Sequence, residues 1–401
     1  MYIQESIQTP VTKQCDVLVC GGGFGGISAA LAAARMGSKV VLLEREYMLG
    51  GLGTAGLVTI YLPLCDGMGR QISFGIADEL FRLSISMGWE AEYPENWLDS
   101  DDPAGRNEHT KRFRVRYNAQ LFAMLAEKLL IEEGVEILYG TYAVTAMRKD
   151  DKISAVIVEN KSGRQAICAK SFVDATGDCD IAHFAGVTTE TFKQGNILAA
   201  WYYFLGANGY DLRILGKSDI PDSERAASGK TVEKLVPQRF GGLNGEEISQ
   251  FVCLSHEATL MDMIKKREND PSVMPVTMAT IPQLRMTRKI VGEYELKESE
   301  RHAYFTDSIG MVSNWKKRGP VYEVPFGTLY NRAVKNLITA GRCTSVDETM
   351  WDIMRVIPCC AVTGEAAGTA AAMTDDFAAL DVEKLQAQLR KQGVKLHENE
   401  L

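Results

Sequence analysis

Between Asp16 and Glu46 the chain reads DVLVCGGGFGGISAALAAARMGSKVVLLERE, and this stretch constrains the fold more than any other. Asp16–Cys20 is a short apolar run, as expected of a strand buried on both faces. Gly21, Gly23 and Gly26 follow at GxGxxG spacing. In that pattern the first glycine permits a tight turn and the second lets backbone approach a pyrophosphate. The third allows a helix to pack closely on the strand. An alanine-rich helix is predicted over 27–36, stopped by Gly37. A second strand over 39–43 ends at Glu44, about twenty residues past the glycines, where a carboxylate can hydrogen-bond a ribose diol. The helix start offers free N–H groups and a positive dipole end to phosphates. Glycines at this spacing are common in loops. With a strand before, a helix after and an acid at the second strand's tip, they read as a dinucleotide site.

Composition then excludes several classes. The net charge of −8 and pI near 5.4 argue against a nucleic-acid-binding surface. No run of about 18 apolar residues suggests a membrane span. The opening MYIQESIQTP is polar with no basic start, so it does not read as a secretory signal. Nine cysteines, scattered over 401 residues, do not make a disulfide scaffold. The expected compartment is the cytoplasm.

Beyond Glu44, Gly50, Gly51, Gly53 and Gly56 crowd into a loop where backbone closely approaches a large ligand. Helices are predicted over 76–87 and 118–133, the second ended by Gly134. The polar stretch 89–116 reads as a loop or lid near a substrate entrance. A strand over 135–139 precedes an antiparallel meander of 144–148, 153–159 and 165–169, with turns at 149–152 and 160–164. The meander stands where a crossover helix is usual, leading back to a central strand at 170–174. Residues 187–320 show no βα alternation. Within them 198–205 reads as a buried aromatic strand, with Trp201, Tyr202 and Tyr203 on an inner face, and 247–266 as a helix. From 321 the chain returns, with a strand at 336–340, a small-residue helix at 358–373 and a closing helix at 381–392.

GGGFGG with Glu44, the glycine loop, DATGD at 174–178, and NLITAGR with PCCAVTGEAAGTAAA together resemble the FAD-dependent oxidoreductases with a glutathione-reductase-type flavin domain. More narrowly they resemble an uncharacterised bacterial group with TAGLV after the ribose acid and IVGEY in the middle. The resemblance implies an α/β, Rossmann-like FAD-binding domain with a β-meander crossover and an inserted α+β substrate domain. The FAD-binding domain would comprise 1–186 plus 321–401, with 187–320 as the inserted substrate domain and 75–116 as a lid. It further implies non-covalent FAD. Gly21 and Gly26 would shape the turn, and Gly23, Phe24 and Gly25 would meet the pyrophosphate. Glu44 would bind the adenosine ribose and Arg45 would flank it. Gly51, Thr54, Ala55 and Gly56 would lie along the ribityl and flavin. Val144 would offer its backbone to adenine, and Ala175, Thr176 and Gly177 would close over the adenosine. Gly341, Cys359, Cys360, Ala361 and Val362 would sit by the flavin's pyrimidine edge, where a helix start stabilises charge on reduction. Many relatives place an acid after that last glycine to hold the ribityl chain. Here Arg342 stands there, with Asp347 and Asp352 as substitutes.

No second GxGxxG with strand and helix around it occurs, so no NAD(P)H domain is expected. Cys65 is a single cysteine after the ribose acid, where the disulfide reductases of this fold carry a paired motif, which argues against that activity. Cys359 and Cys360 read as helix packing rather than activated thiols. Candidates for placing an anionic or polyhydroxy substrate are Arg285, Arg288 and Arg355. Candidate acids or bases are His256 and His302, with His183 packed on the nucleotide domain and His109 and His397 at the surface. No spacing suggests a metal. The expected activity is hydride transfer between a small organic substrate and flavin N5. The alternatives are a flavin-dependent RNA-modifying enzyme, disfavoured by the acidic charge, and a non-enzymatic flavin electron carrier.

Overall fold

Strand β1 (Val11–Cys20) begins well before the apolar run, and its last four residues are buried on both faces. They pair in parallel with β2 (Val40–Leu43) on one side. Between them runs α1 (Phe24–Arg35). The computed structural model describes residues 2–91, 114–216, 221, 222, 226, 227, 229 and 234–401. Most of the expected lid, with the acidic run 99–102 and His109, lies outside the described residues.

After the glycine loop come β3 (Ile60–Tyr61), α2 (Ile76–Ile85) and β4 (Val115–Arg116), β4 pairing antiparallel with β3. Helix α3 (Ala119–Glu132) starts where Asn118 accepts the Gln120 and Leu121 N–H groups. Then follow β5 (Glu136–Leu138), β6 (Tyr142–Lys149), β7 (Lys152–Asn160) and β8 (Gly163–Asp174). The main sheet runs β5-β2-β1-β8-β7-β6.

The sequence suggested two strands at 165–169 and 170–174, but they are one. Its first half pairs antiparallel with β7, and its last three residues pair in parallel with β16 (Leu337–Thr339) on the same edge. One long strand therefore changes partner where β7 ends.

A five-residue helix, α4 (Asp180–Phe184), leads to β9 (Thr189–Thr191). The aromatic stretch forms a shorter strand than expected, β10 (Tyr202–Gly206), between β11 (Gly209–Arg213) and β12 (Met274–Met278). Period-two alternation divides its aromatics. Tyr203 joins a core with Trp201, Phe240 and Phe251, while Tyr202 joins Met263 and Val273. The long α5 (Gly245–Asn269) crosses this region, capped by Asn244. Of the stretch 285–297 only β13 (Arg288–Ile290) is strand, paired with β9. Strands β14 (Ser308–Ser313) and β15 (Val321–Pro325) form a hairpin of their own and do not join the main sheet.

The chain ends with α6 (Glu348–Met354), α7 (Ile357–Met373) and α8 (Val382–Lys391). Helix α7 lies against α1 with backbone in contact. A Cβ on Gly364 would stand 2.2 Å from the Gly25 carbonyl oxygen, and one on Gly368 would stand 2.0 Å from that of Ala29. Glycines one turn apart thus set the distance between the two helices. That contact fixes the start of α7 beside the start of α1.

Candidate functional site

The C-terminal ends of β1, β2, β8 and β16 open onto one cavity of about 360 Å³, the position that open α/β sheets use for ligands. Each glycine of the first turn has a separate steric reason. Gly21 holds φ +108°, and its Cβ would lie 2.3 Å from the Ala175 carbonyl oxygen. A Cβ on Gly26 would lie 1.8 Å from that of Gly21. Around Gly23 no atom lies within 4 Å of the Cβ position, because that side faces the cavity. Gly23 also caps α1 without any side chain, which leaves first-turn N–H groups available to a ligand.

Opposite stands Glu44, which is buried. Its Oε2 accepts the Gly22 N–H at 2.9 Å and its Oε1 accepts that of Glu46 at 2.8 Å. Burial pushes the carboxyl above its ordinary value, and those two donors oppose the shift. The 175–177 turn is held from behind by Asp174. Its Oδ1 accepts the Thr176 hydroxyl at 2.7 Å and its Oδ2 accepts the Ala182 N–H at 2.9 Å.

The other end of the cavity is formed by Gly341, Arg342, Arg355 and the first turn of α7 through Ile357 and Cys360. Arg342 donates to the Leu284 and Arg285 carbonyls at 2.8 and 2.9 Å, with Asp178 at 3.6 Å. It therefore binds the segment 284–285 to this wall. Arg355 is tied to Asp352, which Lys316 also approaches at 2.9 Å. Burial raises the Asp352 carboxyl, but those two cations outweigh it and hold it below the usual range.

Of the residues expected to hold a cofactor, Gly21, Gly23, Phe24, Gly25, Glu44, Arg45, Gly51, Ala175, Thr176, Gly177, Gly341, Arg342 and Cys360 line this cavity. The rest do not. Gly26 packs on Gly21. Thr54 is turned onto the Leu49 carbonyl, while the Ala55 and Gly56 carbonyls accept from Thr280 and Gln283. Val144 is displaced by Thr141, Tyr142 and Ala143, which line the cavity just before it. Cys359, Ala361 and Val362 face the core. Asp347 caps α6 and Asp352 binds Arg355, so neither carboxylate reaches the cavity. The stretch Thr280–Pro282 also lines it, and nothing in the sequence pointed there.

The candidate catalytic groups scatter. Arg288 donates to the Asp178 carbonyl at 2.9 Å and the Asp180 carboxylate at 2.7 Å, outside the cavity lining. Arg285 stacks over Trp201 at 4.9 Å and bonds Gln283. His302 pairs with Glu398 at 2.7 Å and lines neither cavity. His397, expected at the surface, is buried, 2.9 Å from Glu323 and stacked on Tyr304. His183 is exposed. Burial pushes the Cys360 thiol up to about 12 and Cys359 well above its ordinary value, so neither is an activated thiolate. His256 alone of these lines a second cavity of about 400 Å³, whose wall of Thr280, Ile281 and Pro282 is shared with the first.

The first cavity fits the pyrophosphate and adenosine ribose of a dinucleotide such as FAD. The space before Gly23 is clear, α1 presents uncapped donors, and a held carboxylate stands at the tip of β2.

A family model described as FAD dependent oxidoreductase matches residues 16–208 and 244–389. Over 171 residues the chain is 29% identical to a glutathione reductase of Schizosaccharomyces pombe, covering 42% of this chain and 32% of that one. It is also 29% identical over 179 residues to a thiamine thiazole synthase of Methanococcus maripaludis, covering 42% and 58%. The chain thus spans less than two thirds of the length of these curated relatives. Among solved structures, a geranylgeranyl bacteriochlorophyll reductase-like protein of Thermoplasma acidophilum covers 95% of this chain and 84% of its own. The two share 15% identity with a TM-score of 0.48. Among the described residues no single helix is long and apolar enough to cross a membrane.

Proposed function

The chain belongs to the FAD-dependent oxidoreductase family, and on that premise we propose that it transfers a hydride between a small organic substrate and a non-covalently bound FAD. Its fold is the α/β FAD-binding fold related to glutathione-reductase-type flavoproteins. The observation that carries the proposal is the clear space before Gly23 at the start of α1, in one cavity with Glu44 and the start of α7.

When bound, the flavin supplies hydride acceptance and donation. The chain's own residues bind and orient it. The N–H groups at the start of α1 hold the pyrophosphate, and Glu44 accepts from the adenosine ribose while its second lone pairs remain on the Gly22 and Glu46 backbone. Arg45 flanks the ribose, and the 141–143 and 175–177 backbones enclose the adenosine side. The start of α7, with Cys360 and Ile357, takes the flavin end, where the helix dipole favours the charge gained on reduction. Residues 1–186 and 321–401 form the cofactor-holding part, and 187–320 cover the substrate. Thr280, Ile281 and Pro282, held to the glycine loop by the Thr280 N–H on the Ala55 carbonyl at 2.8 Å, keep water from the flavin face.

The test is the visible absorption of the purified protein before and after denaturation. Flavin bands that pass into the small-molecule fraction on unfolding are the expected result. A colourless protein that takes up no added FAD would overturn the reading.

A further inference from the structure

The cavity behind Thr280–Pro282 has its own chemistry. Its described lining holds no Lys, Arg, Asp or Glu. Its walls are apolar, from Ala199 on one side, Phe251 and Val252 of α5 on another, and Met278 with Ile281. Almost every polar side chain among the lining residues is already engaged with the protein. The Ser255 hydroxyl donates to the Ala199 carbonyl at 3.0 Å, and Thr277 donates to the Met278 carbonyl at 3.3 Å. Gln283 donates to the Gly56 carbonyl at 2.5 Å and accepts from Arg285 at 3.2 Å. Thr280 turns to the Ala55 carbonyl. His256 differs: it lines the cavity, is exposed, and has no hydrogen-bond partner among the described residues.

The three guanidiniums that the sequence offered for an anion are committed elsewhere. Arg285 is over Trp201, Arg288 is on Asp178 and Asp180, and Arg355 is on Asp352. We propose that the cavity between α5 and residues 277–283 binds a compact, uncharged, largely apolar molecule whose single hydroxyl or carbonyl hydrogen-bonds to His256. The inference rests on the flavin reading of the neighbouring cavity, because the shared wall of Thr280, Ile281 and Pro282 is what places such a ligand next to the cofactor. A polyhydroxy or anionic ligand would leave polar or charged groups facing Phe251, Val252 and Ile281 without partners, which disfavours it strongly.

The test titrates the flavin-loaded protein at pH 8 with 2-naphthol, naphthalene-2-sulfonate and sorbitol. Flavin absorbance and naphthol fluorescence are read together. Naphthol is expected to bind and perturb the flavin bands, with the sulfonate at least about tenfold weaker and sorbitol silent. Val252→Trp, which fills the cavity, is expected to weaken naphthol at least about tenfold. His256→Ala is expected to weaken it about three- to tenfold, and His256→Gln to restore part of that loss. Sulfonate or sorbitol binding as tightly as naphthol, no naphthol binding, or indifference to Val252→Trp would each overturn the proposal. Naphthol fluorescence that follows the variants in a protein taking up no flavin would overturn the cofactor reading and leave the ligand class standing.

Discussion

Gly23 and Gly26 stand three positions apart in one motif, yet they answer to different constraints. Gly23 has φ −71° and ψ 179°, a conformation open to any residue, and nothing within 4 Å of its Cβ position. A valine there costs the fold little, because its side chain enters only the cavity. At Gly26 the same side chain would meet the Gly21 carbonyl at 1.8 Å, with no flexible atom able to move. Gly23→Val is therefore expected to fold, with a melting temperature close to that of the unaltered apoprotein, and to lose flavin binding by at least about tenfold. Gly26→Val is expected to lose the fold itself, by about 3 kcal/mol or more. Circular dichroism melts beside flavin content separate the two, and a Gly23→Val protein that still carries flavin would contradict the cavity assignment. These glycines were legible because backbone geometry leaves a mark in sequence. The arginines were not. The pairing of Arg288 with Asp178 and Asp180 joins residues more than a hundred positions apart, and an unpaired side chain and a committed one look alike until the fold joins them.

Helices α1 and α7 meet through Gly364 and Gly368, and the consequence is calculable. A side chain at Gly368 would press on the Ala29 carbonyl 2.0 Å away, so Gly368→Ala must move one helix. We expect a loss of about 1–3 kcal/mol in chemical denaturation with the denaturant slope unchanged. Between those glycines Glu365 accepts the Ile76 N–H at 2.8 Å and so caps α2 from another helix. Burial pushes its carboxyl from the ordinary 4.5 up to about 8. Between those values the folded chain holds a proton that the unfolded chain has released. Stability contributed by this group is therefore complete at low pH and falls as pH rises through the window, by about 1.4 kcal/mol per unit. Glu365→Gln keeps an acceptor for Ile76 and removes the titration. It is expected to match the unaltered protein below pH 4.5 and to exceed it at pH 8, and equal stabilities at both would rule this out. Element order was readable from periodicity and caps, as at Asn118 and Asp381. The single strand β8 was not, because a strand that exchanges β7 for β16 carries no break or signal of its own. Likewise, among the described residues, β15 pairs only with β14, a choice made by tertiary packing.

At the scale of the whole molecule, the cavity proposed to hold the flavin is assembled from pieces scattered through the chain. Residues near 21, 44, 51, 142, 176, 281, 341 and 357 all reach its wall. The 280–284 segment, from the region proposed to cover substrate, is bound to the cofactor side at three points. Thr280 donates to the Ala55 carbonyl, Gln283 to that of Gly56, and Arg342 donates to the Leu284 and Arg285 carbonyls. A ligand in this cavity therefore contacts both parts of the chain. By mass action, free FAD at a hundred times its dissociation constant adds about 2.7 kcal/mol to the stability of whatever unit must be folded to bind it. For a chain of this size that is a rise of a few degrees in melting temperature. If the two regions form one cooperative unit, calorimetry of the apoprotein gives one transition, and saturating FAD moves all of it upward. Arg342→Ala removes one of the three ties, and it is expected to reduce that shift and to broaden the transition while leaving the main sheet intact. Two apoprotein transitions, only the higher of which responds to FAD, would instead mean that 187–320 folds on its own and that its contact with the cofactor cavity forms after both parts are folded.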